Sequence, residues 1–151
     1  MKSSKQSVDI FINQKSFAIF GVSRSGKKFG NAVFTEMKKK GYHVYPINPN
    51  TNEIDGQKCY SNLSELPEKP DGLILSVKPE ETEKIVRTAA DSGIKNIWMQ
   101  KGSESESAID FCNQNNINAI HNECVLMFIE PVESAHKFHK FIWKVFGKLP
   151  N

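Results

Sequence analysis

The sequence predicts an α/β fold: a doubly wound, mostly parallel sheet of five to six strands with helices on both faces. Short apolar runs (FAIF, GLILSV, NIWMQ) alternate with longer stretches whose apolar residues recur three and four positions apart, so strands alternate with helices. Strands joined through helices of this length imply crossover connections, and crossovers imply parallel neighbours. GLILSV is nearly all apolar, as a strand covered on both faces has to be.

The first strand is expected at residues 17–20, closed by Gly21. Ala32, Val33, Phe34 and Met37 then recur at helical spacing and predict a helix over 29–40. Lys38, Lys39 and Lys40 in its last turn complement the negative end of the helix dipole, and Gly41 supplies the left-handed residue that stops it. A second strand is expected at 42–47, bounded by Pro46 and Pro49. Residues 50–70 are rich in Asn, Pro, Glu and Asp and leave room only for a short strand near 58–60 and a helical turn at 62–66. The third firm strand is 72–77. Pro79 suits the first position of a helix running to about Ser92, with Ile85, Val86 and Ala89 as its buried stripe and Gly93 as its stop. NIWMQ, 96–100, is the fourth strand; a helix over 103–115 follows, with Ser103 and Glu106 at capping-box spacing. The fifth strand is 117–121. A final amphipathic helix is expected at about 133–146, carrying Phe138, Phe141, Ile142, Val145 and Phe146.

With 151 residues and no repeat, linker or low-complexity tract, one domain is expected over 1–151. A composition of 38% hydrophobic and 25% charged residues is that of an ordinary globular protein. Twenty basic against 17 acidic residues is too even a balance for a nucleic-acid binder. The start lacks a signal-peptide core, and no run of about 18 apolar residues suggests a membrane span, so a cytoplasmic location is expected. Cys59, Cys112 and Cys124 are odd in number and lack C-x-x-C spacing, which argues against both a disulfide framework and a zinc site.

In a doubly wound sheet, ligands bind beyond the carboxyl ends of the strands where strand order reverses. That rule selects the loops at 21–30, 48–51, 78–79 and 100–103. The loop GVSRSGKKFG feeds the first expected helix, whose free amides and dipole attract an anion, while Ser23, Ser25 and Asn31 add neutral donors and Arg24, Lys27 and Lys28 add charge. It falls one residue short of the nucleoside-triphosphate P-loop, because Lys28 stands where a Ser or Thr must reach magnesium. A dinucleotide site wants G-x-G-x-x-G and a carboxylate after the second strand; the chain has G-V-S-R-S-G and then Asn48 and Pro49, which disfavours NAD.

The stretches GVSRSGKKFGNAVFTEMKKKGYHVYPINPN, YSNLSELPEKPDGLILSVKP, KNIWMQKGSES and NECVLMF resemble the small single-domain coenzyme A-binding proteins related to the Rossmann-like nucleotide-binding domain of the succinyl-CoA synthetase alpha subunit. The resemblance runs from about Lys15 to Met127, and its most specific parts are G-x-S-x4-K-x-G-N, here Gly21, Ser23, Lys28, Gly30 and Asn31, the strand ending V-Y-P-I-N-P, and the closing E-C-x-L-M. It implies that coenzyme A (CoA) or an acyl-CoA is the ligand. It also implies that Gly21, Ser23, Arg24 and Ser25 line the diphosphate, that Lys28 meets a phosphate, and that Asn48 and Pro49 border the nucleotide. Val77, Lys78 and Pro79 would flank the adenine or pantetheine, and Gln100 and Gly102 would close the far side.

The larger synthetases carry a phosphorylated histidine and a partner domain, for which this chain has neither the length nor a second domain. His43 reads as a strand residue, and His136 and His139 as a surface pair without a third metal ligand. His121 and Cys124 lie near the carboxyl edge, where a mixed disulfide with the CoA thiol would need an exposed, ionised Cys124. No nucleophile and base are spaced for catalysis, so a carrier, sensor or regulatory module is expected; the alternative is a small enzyme or oxidoreductase subunit using NAD(P) or another nucleotide. The aromatic-rich end either packs on its own sheet or contacts a second copy or a partner protein.

Overall fold

The computed structural model describes residues 3–129; the amphipathic segment expected at 133–146, with His136 and His139, lies outside the described residues. A helix that the sequence reading did not assign comes first, α1 (Lys5–Ile12), capped by Ser4, whose side chain accepts from the Ser7 amide. It is followed by β1 (Ser16–Phe20), α2 (Phe29–Lys39) and β2 (His43–Ile47), the small strands β3 (Glu53–Ile54) and β4 (Gln57–Lys58), and β5 (Gly72–Leu75). Then come α3 (Pro79–Asp91), β6 (Asn96–Gln100), α4 (Glu106–Gln114) and β7 (Asn118–Glu123). Among the described residues no helix is long and apolar enough to cross a membrane.

Five strands form one sheet in the order β2-β1-β5-β6-β7, and all its pairings are parallel. The alternation of strand side chains separates two cores. Phe17, Ile19, Ile74 and Trp98 face α1 and α2 through Phe11, Val33, Phe34 and Met37. Ala18, Leu73, Leu75, Ile97 and Met99 face α3 and α4 through Val86, Ala89, Ala108 and Cys112. Because Phe11 stacks on Phe17 and meets Trp98 edge-on, the missed first helix covers one end of the sheet. Its cue was Val8, Phe11 and Ile12 at helical spacing behind the Ser4 cap.

Other boundaries move for local reasons. Pro46 lies inside β2 and not at its end, which an edge strand tolerates because one row of its backbone groups faces away from the sheet. β3 and β4 form an antiparallel hairpin around Asp55 (φ 49°) and Gly56 (φ 77°), the Asp-Gly turn that the sequence reading passed over. The capping box expected at Ser103 and Glu106 is not formed: α4 starts at Glu106, with the Ser105 hydroxyl accepting from the Ala108 amide. β7 runs on to Glu123 across an irregularity at Asn122, where φ is 62°.

Strand order reverses at β1, since β2 lies on one side of it and β5 on the other. The first crossover carries α2 on one face and the later ones carry α3 and α4 on the opposite face. Loops leaving β1, β2 and β5 therefore splay apart and open a groove above the carboxyl ends.

Candidate functional site

That groove has a volume of about 700 Å³. Gly21, the first residue after β1, has φ +99°, and a Cβ built on it would lie 2.1 Å from the Ser76 carbonyl oxygen. Gly30 stands equally close to the loop, its added Cβ only 2.4 Å from the Gly21 oxygen. Only glycine lets the end of β1, the end of β5 and the start of α2 meet at these separations.

The walls are positive. Lys28 is the N-cap residue of α2 and Lys78 that of α3, and neither side chain caps its helix. Both line the groove, joined from α3 by Lys84 and, as the one carboxylate among the described lining residues, Glu81. Two helix N-termini thus open beside one cavity with lysines where a capping Ser, Thr or Asp is usual, so the dipoles and the ammonium groups add in sign. Phe20, Val22, Ile47, Val77 and Ile85 contribute apolar surface to the lining.

Of the residues expected at the site, Gly21, Lys28, Asn48, Pro49, Val77, Lys78, Pro79 and Gly102 are brought together around this cavity. Arg24 and Ser25 are exposed on the turn beside it, and the Ser25 hydroxyl meets the Ser23 hydroxyl at 2.9 Å. Asn31 is buried: its Oδ1 accepts from the Ser23 amide at 2.9 Å, and its Nδ2 donates to the Ser23 carbonyl at 2.8 Å. Asn48 donates through Nδ2 to the Val22 carbonyl at 2.9 Å and accepts at Oδ1 from the Asn50 amide at 2.7 Å.

Gln100, expected to close the far side, is turned into the fold instead. It is 3% exposed, its Oε1 accepts from the Val125 amide at 2.8 Å and its Nε2 donates to Cys124 Sγ at 3.6 Å. A buried amide has to satisfy both ends, and these partners lie inward. Gly102 is the residue that reaches the groove on that side. Ser103, misread as a cap, accepts from the Val77 amide at 3.0 Å and so ties the β6 loop to the β5 loop.

Lys84 and Ile85 escaped the sequence reading as site residues. Their signal was the helical spacing from Lys78 through Glu81, which puts all four on the side of α3 that meets the groove. Ser61 and Asn50 enter through the fold of the long connection after β2, for which no sequence period exists.

The thiols are held protonated. Burial raises the pKa of Cys59 and Cys124 and pushes Cys112 up to about 11. Burial lowers that of His121, whose backbone amide donates to the Ser3 hydroxyl at 3.1 Å. The exposed thiolate that a mixed disulfide at Cys124 requires is therefore disfavoured. A raised folded-state pKa means that the folded chain holds the proton more tightly. The thiols' contribution to stability should then be level below their ordinary value of 9.0 and fall as pH rises from there toward 11, the Cys112 value. Tyr42 and Tyr45, whose pKa values burial also raises, add to the decline at its alkaline end. Urea unfolding from pH 8 to pH 11 checks this: the midpoint should decline only above about pH 9, and a flat profile would contradict it.

The profile of the family described as "CoA binding domain" matches residues 15–130. The chain belongs to that CoA-binding domain family. Among relatives of this CoA-binding domain, the ADP-forming acetate–CoA ligase II subunit alpha of Pyrococcus furiosus is 31% identical over 91 residues. That alignment takes in 60% of this chain and 20% of the ligase subunit, so the chain spans about a fifth of that relative. The uncharacterized protein YneT of Bacillus subtilis is 23% identical over 117 residues, covering 78% of this chain and 87% of YneT. A solved structure of a hypothetical protein from Pyrococcus horikoshii superposes with a TM-score of 0.75 at 29% identity, over 80% of this chain and 85% of that one.

Proposed function

We propose that the groove binds CoA or an acyl-CoA, with the diphosphate on the loop at 21–30, and that the chain acts as a carrier, sensor or regulatory module without chemistry of its own. The observation that carries this reading is the convergence of two uncapped helix N-termini and three lysines, Lys28, Lys78 and Lys84, on one cavity. CoA bears a diphosphate and a 3′-phosphate, and charge-assisted bonds to several phosphate oxygens are the strongest contacts such a lining makes. Asn48 supports the same choice, because a carboxylate after β2 would repel a phosphorylated ribose. The side chains on the groove offer charge and hydrogen bonds suited to holding an anion, while the thiols are buried and protonated.

Native mass spectrometry of protein purified without added ligand tests the reading. Retained CoA supports it; retained NAD or ADP would favour a small nucleotide-dependent enzyme instead. In a thermal melt, CoA at about 100 times its dissociation constant adds about 2.7 kcal/mol of stability, and an unshifted melt would overturn the proposal.

A further inference from the structure

We infer that Asn31 and Asn48 are positioning residues, which set the anion loop in its binding shape through the protein's own bonds before any ligand arrives. The inference takes the identity of the ligand from the CoA reading, whereas the shape of the loop stands independently of it.

The loop at 21–30 contains Gly21, Gly26 and Gly30, and by composition it is a segment that a ligand would have to order. Its bonds say otherwise. Each polar group of Ser23 meets Asn31: its amide donates to Oδ1 at 2.9 Å, its hydroxyl lies 3.3 Å from the same oxygen, and its carbonyl accepts from Nδ2 at 2.8 Å. The hydroxyl also meets that of Ser25 at 2.9 Å, and the carbonyl also accepts from the Gly26 amide at 3.2 Å. Asn31 is itself 4% exposed and sits in the first turn of α2, a helix anchored in the core by Val33, Phe34 and Met37. The neighbouring residue is held from the other direction. Val22 is buried, and its carbonyl accepts from Asn48, which begins the loop after β2 and whose own amide donates to the Tyr60 carbonyl at 2.9 Å. Through Oδ1 the same side chain holds the Asn50 amide, so Asn48 straps the anion loop to the opposite wall of the groove.

Two rigid elements, a helix and a strand end, therefore clamp Val22 and Ser23 between them. With the Ser23 amide committed to Asn31, an anion is left to the later residues of the turn and the open end of α2. Asn31, buried and with its side-chain amide spent in this way, acts on affinity through the loop and not by touching the ligand, whereas Asn48 also lines the groove. Pre-set binding geometry removes the ordering cost that a mobile loop charges at each association.

Hydrogen exchange at Ser23 and Asn50, combined with stopped-flow CoA binding, tests the inference. In the parent without CoA, both amides should be protected, and CoA should change them little. In Asn31→Ala the Ser23 amide should exchange at least tenfold faster and the CoA dissociation constant should rise at least tenfold. The observed binding rate should also level off with CoA concentration, because loop ordering then limits capture. Asn48→Ala should do the same with Asn50 as the reporter, and it serves if the first variant fails to fold. A purely structural role would lower melting temperature without producing the rate plateau. Ser23 exchanging freely in the parent and protected only by CoA would overturn the inference, as would parental affinity in Asn31→Ala. Protected amides in a parent that binds no CoA would remove the CoA reading and leave the positioning role standing.

Discussion

Lys28→Glu should weaken CoA binding by at least a hundredfold while the protein folds as before. Lys28 is exposed, caps nothing with its side chain, and lines the groove where α2 begins. A unit charge pair about 4 Å apart near a protein surface interacts by roughly 4 kcal/mol, and salt screens part of it. Reversing the sign replaces an attraction with a repulsion, so a net loss of about 2.8 kcal/mol, or a hundredfold in affinity, is a conservative figure. Lys28→Met removes the attraction alone and should cost about tenfold, roughly 1.4 kcal/mol. Isothermal calorimetry reads both, and urea unfolding should show neither variant with a midpoint below the parent's, since removing a cation from the start of α2 relieves its repulsion by the helix dipole. Parental affinity in the Glu variant would take Lys28 out of the site.

Gly21→Ala should destabilise the fold by about 3–5 kcal/mol, from the left-handed backbone and the overpacking together. The added methyl would lie 2.1 Å from the Ser76 carbonyl oxygen, and that neighbour is backbone, which cannot swing aside. The ends of β1 and β5 must separate to admit it, so the melting temperature should fall by about 10 °C. CoA binding should be lost with it, because the two strand ends form the floor of the groove. Gly26→Ala is the internal comparison. Gly26 also has a positive φ, +74°, but nothing lies within 4 Å of an added Cβ, so only backbone strain of about 1 kcal/mol is expected. Equal melting points for the two variants would refute the packing argument.

Much of the architecture was readable because it rests on local regularities. The runs at 72–75 and 96–100 announce buried strands by continuous apolarity, and α3 announces itself by Pro79, a spaced apolar stripe and Gly93. Where several weak cues compete, the reading slipped. Ser103 and Ser105 both stand ahead of a Glu-rich turn, and only the demand of the Val77 amide for an acceptor assigns Ser103 to the loop and leaves Ser105 as the cap. α1 was passed over because a helix of eight residues shows its purpose only when Phe11 meets Phe17 and Trp98 across the sheet.

Gly21, Lys28, Asn48 and Lys78 could be named as candidates from one dimension, since strand-to-helix turns and strand ends are marked by glycine, proline and a change of period. What each does there depends on neighbours far along the chain. Gln100 turns inward because Val125 and Cys124 are its partners, and Lys84 reaches the groove because α3 crosses beside it. Asn31 and Asn48 hold the loop because Ser23 and Val22 lie within reach. The chain's own pattern determined that strands and helices alternate, that the sheet is parallel, and that a positive, glycine-rich turn follows β1. The tertiary structure alone decided which polar side chains line the groove and which bond within the protein, because a hydrogen bond is formed by distance and direction in space, and sequence order specifies neither.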